Sequence, residues 1–479
     1  MKSIRLIAIL AIGAMSSILG CARVQPSPGL VNTLELGTVR GFHLERVITH
    51  FHLPYSFDAC DSKGQNADGS LNLNCLHDAK SALCNNHINL TFATDHTNFV
   101  AATPFQNLLY LETGDVPVLN GTSMQVGNQV TCPDGFGAVI SPGLEGQLLA
   151  LGMEQHVTEN PYPAGTPFNL ANIYGGNSTL EQGALADTVA NGGAHALVGI
   201  PHTESRDNAL LQTLNPTFIE IYNLHANLDP KIRKTSLGLP PFEHIAKFMN
   251  YLLDPFNSQN ADYMFIEFFE MAPVYFQKWN TLLAGGMHVT GVAGHDSHEN
   301  IFPQKASDGE RLDQHRRMIR MFSNLIMTTA SDIDTIKASI TAGKVYFVLE
   351  GLGSPLGLDF HGTLAGSTIV EMGSTMTVGA GQSSSLSFGT PSVISSFPGM
   401  DSGLSPIIYS ELHFISATGA ESVVASAVNA PLIYVDPPAG NYRIHSYMYP
   451  FHLRELVLKH SYAEKAYPWI ISNPILVVR

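Results

Sequence analysis

Six short apolar runs of strand character each lead into a histidine or an acidic residue, and this arrangement constrains the fold more than any other feature of the sequence. The runs are Leu44–Thr49, Asn89–Thr94, Leu148–Met153, Ala196–Pro201, Phe218–Leu224 and His288–Gly294. They lead, in the same order, into His50 and His52, Asp95 and His96, Glu154, His202, His225, and Asp296 and His298. Parallel strands that alternate with helices place their carboxyl ends on one face, so these residues become neighbours in space. One such histidine is more often an ordinary core or loop residue, whereas six coincident strand ends predict a single shared site.

The alternation of these runs with helical stretches predicts an α/β fold, which we interpret as a distorted (β/α) barrel. Helices are predicted at Pro241–Leu253 and Gly309–Met327. A last helix is predicted to begin after Ser331 as its N-cap and to stop at Gly343, because isoleucines recur between them at helical spacing. A strand is predicted to follow it at Val345–Leu349.

The character of the sequence changes after Gly351, where helical periodicity gives way to short alternating runs separated by Gly, Ser and Pro turns. Examples are Ser384–Phe388, Ile407–Ser416 and Tyr442–Tyr449. This pattern predicts an all-β, sandwich-like domain at residues 351–479 and leaves residues 41–350 for the barrel.

The first residues have the layout of a bacterial export signal. Lys2 and Arg5 precede an uncharged run, Leu6–Leu19, that is too short to favour a membrane-spanning helix. Ile18-Leu19-Gly20-Cys21 resembles a lipobox, so we predict a signal peptide at residues 1–20 and lipidation of the cysteine. The alternative is an ordinary secretory signal with an incidental cysteine.

Lipidation of Cys21 makes residues 21–40 a tether between the membrane and the folded body. Ala22, rather than Asp, follows the lipidated position, which resembles lipoproteins of the outer membrane. We therefore expect a protein that is exported and lipid-anchored in the bacterial cell envelope, at the outer membrane, facing the periplasm or the surface.

Composition limits the partners and the redox state of the chain. Charged residues make up 14% of it, and the net charge is −15 with no basic stretch, so we expect no nucleic-acid partner. Beyond the lipobox the cysteines are Cys60, Cys75, Cys84 and Cys132. In an oxidising compartment they predict one or two disulfides, with three possible full pairings. A thiolate metal site is the alternative, but no C-x-x-C spacing supports it.

Two pairs of potential ligands at i and i+2 carry the most information about chemistry. Extended backbone places His50 and His52 on the same side, and it does the same for Asp296 and His298. Two such side chains reach one ion at about 2.0–2.2 Å, and histidine with carboxylate suits zinc, manganese or iron. A carboxylate such as Glu154 or Asp58 is expected to bridge two ions at roughly 3.5–4 Å.

At this point the sequence resembles a known family. The segment from His50 to Asp58 resembles the first motif of the PHP (polymerase and histidinol phosphatase) superfamily. Later segments resemble its further motifs, in order: Thr94-Asp95-His96, Gly152-Met153-Glu154, Ile200-Pro201-His202 and Gly294-His295-Asp296-Ser297-His298. Gly343–Tyr346 and Pro468–Ile475 resemble the carbaryl-hydrolase-like branch. The resemblance spans nearly all of the chain after the signal.

The resemblance implies a distorted (β/α) barrel, two or three divalent metal ions (Zn, Mn or Fe) and hydrolysis of an ester. The metal ligands that it implies are His50, His52, Asp58, Asp95, His96, Glu154, His202, Asp296 and His298. Asp58 lies one residue later than the usual acidic position, and His295 stands where a small serine is usual. No Gly-His pair follows Glu154; Gly165–Asn169 lies where one is expected, and His156 is a substitute ligand.

The expected nucleophile is water bridging two ions, because its pKa falls towards about 7. His225, or a histidine near His195 and His202, is predicted to protonate the leaving group. Arg206 is a candidate to hold an anionic group, although a solvated arginine at a helix start is the commoner case. The residues expected to act in catalysis are therefore His202, His225 and Asp296.

Three functions remain open. A phosphoesterase acting on a small-molecule ester is the first, and a carboxylic ester or carbamate hydrolase at the same site is the second. Cationic side chains facing the metals would favour phosphate, whereas an apolar pocket would favour a carbonyl group. The third is a surface lipoprotein that binds metal or a small molecule without catalysis. The sequence argues against it, because nearly every expected metal-ligating residue is retained. The sequence names no protein partner.

Overall fold

The structure is a computed structural model that describes residues 29–96, 100, 103–146, 148–155, 196–243, 260–306, 308–395, 402–457 and 459–479. The predicted signal peptide, the lipidation site and part of the tether lie outside the described residues. The same is true of His156, His195 and Gly165–Asn169, and of most of the helix predicted at Pro241–Leu253.

The secondary structure alternates in the first part of the chain and is mainly β in the last part. The strands, in chain order, are β1 (Thr38–Val39), β2 (Phe42–Phe51), β3 (Leu90–Ala93), β4 (Val116–Leu119), β5 (Gln125–Thr131), β6 (Gly137–Glu145), β7 (Leu149–Leu151), β8 (Leu197–Ile200), β9 (Phe218–Asn223), β10 (Thr290–Gly294), β11 (Ser323–Thr328), β12 (Val345–Val348), β13 (Ser354–Leu356), β14 (Asp359–Leu364), β15 (Thr368–Glu371), β16 (Thr375–Thr377), β17 (Ser384–Gly389), β18 (Ser392–Ile394), β19 (Ile407–Ile415), β20 (Glu421–Val428), β21 (Leu432–Val435), β22 (Gly440–Tyr449), β23 (Tyr467–Ser472) and β24 (Ile475–Val478).

Among the described residues the α-helices are fewer than the strands, and most of them are short. The α-helices are α1 (Ala59–Ser62), α2 (Leu73–Asn85), α3 (Asn208–Leu214), α4 (Leu224–Leu228), α5 (Pro230–Ile232), α6 (Pro273–Ala284), α7 (His315–Arg320), α8 (Ile333–Thr341) and α9 (His460–Ala463). Short 3-10 helices lie at Thr33–Leu36, Phe105–Leu109, Thr203–Ser205, Ala261–Phe268, Glu350–Leu352 and Phe451–Leu453, and a π-helix lies at Arg233–Leu237. Among the described residues, no helix has the length and apolar character needed to cross a membrane.

Seven strands form a continuous ladder in the order β2-β3-β6-β7-β8-β9-β10. All of them run parallel to one another except β7, which is antiparallel to both of its neighbours. Strands β3, β9 and β10 are buried along their whole length, as is typical of parallel strands covered on both faces. The carboxyl ends of six strands therefore meet at one edge of this ladder, and β7 ends at the opposite edge.

The described strands do not close into a barrel, so the predicted (β/α) barrel is not confirmed, whereas a mixed α/β fold with a large sheet is. Strand β2 pairs with β3 on one side and with the antiparallel β11 on the other, which leaves only its last residues within reach of β10. There, Asp296 N donates to His50 O and His52 N donates to Ser297 O. The side chain of Asn324 fills the gap nearer the strand centres, where it bonds both the N–H and the C=O of Ala293.

Residues 351–479 are mainly β, as the alternating runs predict, but many of their strands extend the same large sheet. Strand β11 pairs with β12, β12 with β23, and the ladder continues through β22 and β19 to β20. A separate four-stranded sheet has the order β15-β14-β17-β21. Because β12 and β23 are hydrogen-bonded, the boundary between residues 350 and 351 stays a prediction.

Two predicted helices differ in outcome. Helix α8 and the strand β12 after it lie where the sequence predicts them, although the N-cap is Asp332, whose side chain accepts from Thr335 N. Ser331 instead donates its hydroxyl to Glu45. The helix predicted at Gly309–Met327 is wrong over most of its length: only α7 is helical, and the following residues form β11, which pairs on both of its edges.

Candidate metal centre

The carboxyl ends of the six parallel strands place a group of histidines and carboxylates within a few ångströms of one another. His50 and His52 lie at the end of β2, Asp95 and His96 follow β3, and Glu145 is the last residue of β6. His202 follows β8, His225 follows β9, and Asp296 and His298 follow β10. His202 and Asp296 both adopt a left-handed backbone, with φ of 51° and 52°, a conformation that side chains adopt at a cost and that clusters at functional sites.

The first group of candidate ligands consists of His50, His52, Glu145 and Asp296. The two Nε2 atoms lie 3.1 Å apart, Glu145 Oε2 lies 3.4 and 3.3 Å from them, and Asp296 Oδ1 lies 3.5 and 3.3 Å from them. Ligands bound at about 2.0–2.2 Å around a tetrahedral ion are separated by roughly 3.3–3.6 Å. The spacing of these four atoms therefore fits a single divalent ion.

Glu145 and Asp296 each turn their second oxygen towards His202. The Nε2 of His202 lies 3.2 Å from Glu145 Oε1 and 3.3 Å from Asp296 Oδ2. Two carboxylates thus contribute one oxygen to the first group and the other to a second group. Carboxylates shared in this way are what hold two ions near each other in two-metal sites.

A third group lies beside the first and contains Asp58, His96 and His298. His96 Nε2 and His298 Nε2 are 3.4 Å apart, and Asp58 Oδ1 lies 3.6 and 3.5 Å from them. A nitrogen of His225 lies within 4.8 Å of ligand atoms of Asp296 and His298. These four residues come from separate parts of the chain, and their ligand atoms, like those of the first two groups, fit the binding of divalent metal.

Four of the imidazole rings are held on their far side by a hydrogen-bond partner. The Nδ1 of His50 lies 2.7 Å from Glu220 Oε1, that of His52 lies 2.7 Å from Ser56 Oγ, and that of His202 lies 3.2 Å from Glu204 Oε1. His298 Nδ1 lies 3.0 Å from the carbonyl oxygen of Asp296. A partner that accepts the Nδ1 proton leaves the lone pair on Nε2, which faces the cluster. This second layer is typical of metal-binding histidines, because it fixes both tautomer and ring orientation.

Buried oxygens without partners also fit a cation. Glu145 Oε2 and Asp58 Oδ1 are both buried and make no hydrogen bond, which is costly for a carboxylate unless a positive charge lies beside it. Burial tends to raise the pKa of Glu145 and of Asp296, yet the surrounding imidazoles hold both pKa values well below the usual range. Both carboxylates are therefore ionised and able to bind a metal ion.

The histidines respond to the same carboxylates. Burial opposes protonation of His50, yet Asp296 and Glu145 raise its pKa to about 10. Burial also opposes protonation of His96, whose pKa Asp58 and Glu145 raise to about 10. The cluster thus attracts positive charge, and a divalent cation held by these residues would supply it in place of the protons on the ring nitrogens.

Two predicted metal ligands, Glu154 and Asp95, lie outside the three ligand groups, and so does His295 of the closing motif. Glu154 follows the antiparallel strand β7, at the opposite edge of the ladder, where its Oε2 accepts from Asn120. Asp95 is buried and accepts from Leu53 N and Tyr110 Oη, so it positions the segment after His52. His295 stacks on Phe322 with ring centres 3.8 Å apart, and burial lowers its pKa to about 3, which makes it a core residue.

Sequence reasoning missed Glu145 and the histidine partners Glu220, Ser56 and Glu204. Glu145 ends a run that begins at Gly137, and this run has the same strand character as the six that were recognised. Glu220 lies in the middle of β9 with no exposure to solvent. A charged residue inside an otherwise apolar strand is itself a signal, because burial of an acid requires a partner.

Comparison with known proteins does not assign the chain to a family. No protein-family model matches the sequence, and no curated protein matches it. One solved structure that aligns with it is described as a two-domain protein containing a predicted PHP-like metal-dependent phosphoesterase, from Bacteroides vulgatus. The alignment covers 95% of this chain and 100% of the other, with 9% identity and a TM-score of 0.35. These values are too low to assign a fold or a function.

Proposed function

We propose that this protein is a metal-dependent hydrolase that cleaves ester bonds at the candidate metal centre. The observation that carries the proposal is that Glu145 and Asp296 lie between two groups of histidines. Each carboxylate has one oxygen beside the nitrogens of His50 and His52 and the other beside the nitrogen of His202. Divalent ions held there supply a coordinated water whose pKa falls towards about 7, and they stabilise negative charge that develops on the substrate.

The centre is open on one side, which favours catalysis over purely structural metal binding. The side chains of His50 and His52 are fully buried, whereas those of His202 and Asp58 are 29% and 25% exposed. Structural metal sites are closed by protein ligands, while catalytic sites keep a position open for water or substrate. A substrate can therefore approach from the side of His202 and Asp58. The binding-only lipoprotein remains the alternative that the assay below tests.

Proton transfer to the leaving group is assigned to His225 in this proposal. Its Nδ1 is buried and makes no hydrogen bond, and its ring centre lies 5.5 Å from that of His298. An imidazole with both nitrogens hydrogen-bonded would have a structural role here. His225 has a free nitrogen beside the metal-ligating residues, so it is able to donate a proton. The same position suits a metal ligand, and the two roles predict different metal contents.

We place phosphate esters first among the substrates and carboxylic esters or carbamates second. Two ions that share carboxylates suit in-line displacement at phosphorus, because they stabilise both the attacking and the leaving oxygen. One observation favours the second class: Phe57, 49% exposed, lies with its ring centre 5.0 Å from that of His96. Lys278, a cation beside the His202 segment, donates instead to the carbonyl oxygens of Thr203, Glu204 and Arg206.

The test is hydrolysis of chromogenic phosphomonoesters, phosphodiesters and carboxylic esters by the chain that begins after Cys21, with added Zn²⁺ or Mn²⁺. We expect metal-dependent turnover of one class, and we expect Asp296→Ala and His52→Ala to abolish it. Turnover that survives chelation of metal would reject the proposal. Two or more bound ions per chain without turnover of any class would favour the binding lipoprotein.

Export and lipid anchoring are proposed from the amino-terminal sequence alone. We propose that Cys21 is lipidated and holds the protein at the outer membrane, with the hydrolase facing the periplasm or the surface. Labelled fatty acid should be incorporated into the chain expressed in a bacterium, and Cys21→Ser should abolish the incorporation. Incorporation that persists in Cys21→Ser would reject this proposal.

A further inference from the structure

Four residues beside the candidate metal centre form a separate cluster of potential metal ligands: Cys60, Cys75, Glu299 and His315. We call this group the Cys60 cluster. Cys60 Sγ, a carboxylate oxygen of Glu299 and a ring nitrogen of His315 lie within 4.8 Å of one another. Cys75 belongs to the group because its Sγ is bonded to Cys60 Sγ. While that disulfide exists neither sulfur ligates metal, because only the thiolate does so.

The two other members of the Cys60 cluster are buried, and one of them has an unused polar atom. His315 is 0% exposed and Glu299 is 4% exposed. His315 Nδ1 lies 2.9 Å from Ser297 Oγ, while its Nε2 is buried and makes no hydrogen bond. Glu299 accepts the backbone N–H of His315 at 2.8 Å, which fixes the carboxylate beside the ring. A buried ring nitrogen without a partner costs free energy, and a bound metal ion removes that cost.

We propose that the Cys60 cluster is a redox-dependent zinc site, which holds a disulfide when oxidised and a zinc ion when reduced. Its ligands are the two thiolates, the His315 imidazole and the Glu299 carboxylate, a set that suits Zn²⁺. Two thiolates on a tetrahedral zinc with Zn–S of about 2.3 Å lie roughly 3.8 Å apart. The sulfurs therefore need only separate to van der Waals contact for both to bind.

The chemistry balances with a dithiol as the reductant. The dithiol gives two electrons and two protons to the Cys60–Cys75 bond, which breaks into two thiols, and the dithiol itself becomes a disulfide. Binding of Zn²⁺ then displaces both thiol protons to solvent. Cys60 is only half-buried, so we expect a small dithiol to approach the disulfide from the Cys60 side.

The position of the Cys60 cluster connects it to the candidate metal centre. Cys60 N donates to His298 O at 2.7 Å, and Asp61 N donates to Glu299 O at 3.1 Å. Asp58, a member of the third ligand group, lies two residues before Cys60. The state of the cysteines thus acts on the segment that carries Asp58. The site itself does not depend on the proposed hydrolase, because none of its ligands belongs to the three groups of that centre.

The test uses the chain that begins after Cys21, and Co²⁺ is the probe. Cobalt bound by thiolates gives a charge-transfer band in the near ultraviolet, which cobalt bound only by histidine and carboxylate lacks. We expect the oxidised protein to bind Co²⁺ without this band. After anaerobic reduction with a phosphine and removal of the reductant, we expect one further Co²⁺ per chain together with the band, and Zn²⁺ should displace that ion.

Variants separate the Cys60 cluster from any other pair of thiols. His315→Ala and Glu299→Gln should each weaken the band-forming site at least about tenfold, the loss seen even for partners outside the ligand shell. The matched control removes the other disulfide, Cys84–Cys132, by the double change Cys84→Ser and Cys132→Ser, and it should retain the band. If one ligand variant does not fold, the other decides.

Two results would overturn the proposal. One is the absence of the band in the reduced protein at saturating Co²⁺. The other is an unchanged band and unchanged affinity in the folded His315→Ala or Glu299→Gln variant, which would mean that the thiols bind metal without the rest of the cluster. Because the band requires thiolate, failure of the hydrolase assay leaves this test unaffected.

Discussion

Glu145 occupies the centre of the candidate ligand groups, although Glu154 is the glutamate whose sequence context resembles a metal-binding motif. The difference comes from the direction of one strand. Strand β7 has three residues and runs antiparallel to its neighbours, so the residue that follows it points away from the other strand ends. A short apolar run has the same composition in either direction, which is why the sequence could predict the strand but not the edge at which Glu154 lies.

Exchange of the two glutamates for glutamine separates these positions. Glu145→Gln should remove at least one ion per chain and lower turnover by at least about a hundredfold, because even partners outside the ligand shell cost about 10–100-fold. Glu154→Gln is the matched control, and its metal content and turnover should equal those of the parent protein. Elemental analysis and the ester assay measure both. Loss of metal in Glu154→Gln and not in Glu145→Gln would contradict the assignment.

His225 permits a second prediction at the scale of one side chain. If it acts as the proton donor, His225→Ala should keep the full metal content and lose turnover, with the greatest loss for esters whose leaving group is a poor one. Turnover of an activated nitrophenyl ester should fall much less. If metal content falls instead by an ion per chain, His225 is a ligand and the proton-donor role is rejected.

At the scale of elements, pairing between strands overrides local pattern. The run Gly309–Met327 has helical spacing, yet only α7 is helical, because β11 gains partners on both of its edges. Helix α7 turns three arginines inward to a single carboxylate: Asp262 lies 2.8 Å from Arg316 and 2.6 Å from Arg317. Arg320 completes the group at 3.3 Å. All three arginines of this helix are therefore buried around one acid.

This buried group predicts the effect of Asp262→Asn on stability. Removal of one member of a buried charge group costs about 3–5 kcal/mol, and here the three arginines lose the fully buried carboxylate that they share, although Arg316 keeps Glu310 and Arg317 keeps Asp308. Asp334→Asn is the control: this carboxylate is 59% exposed where it pairs with the buried Lys337, so its loss should change the free energy of unfolding by less than about 1 kcal/mol. Urea unfolding in the presence of a chelator measures both. A loss below about 1 kcal/mol in Asp262→Asn would reject the stabilising role.

The same carboxylate sets the sign of a pH dependence. Burial tends to raise the pKa of Asp262, but Arg316, Arg317 and Arg320 hold it below the usual value. A lowered folded-state pKa stabilises the protein above the unfolded-state value of about 3.9 and loses this contribution as pH falls through the folded-state value. The difference between parent and Asp262→Asn should therefore be constant above about pH 5 and shrink below about pH 4.

At the scale of the whole molecule, the sequence predicts more of the site than of the closure of the sheet. Strand ends that carry His50, His52, His96, His202 and Asp296 meet as predicted, because parallel strands in α/β folds align their carboxyl ends. Closure into a barrel depends on which edge of β2 is free, and β11 occupies the edge that β10 would need. Such pairings join residues hundreds of positions apart, and no local pattern in the sequence specifies them.

The convergence of six strand ends on one centre also predicts that metal stabilises the entire ladder. An ion that binds the folded chain alone adds about 2.7 kcal/mol to the free energy of unfolding when its free concentration is a hundred times its Kd. We therefore expect chelation to lower the Tm of the parent protein and Zn²⁺ or Mn²⁺ to restore it. Asp296→Ala, which removes an acid shared by two ligand groups, should show a smaller difference in Tm between the two treatments than the parent protein does. If the parent protein, at confirmed metal loading, had the same Tm with and without chelator, the strand ends would be positioned by the hydrogen bonds that the histidines make with Glu220, Ser56 and Glu204 alone.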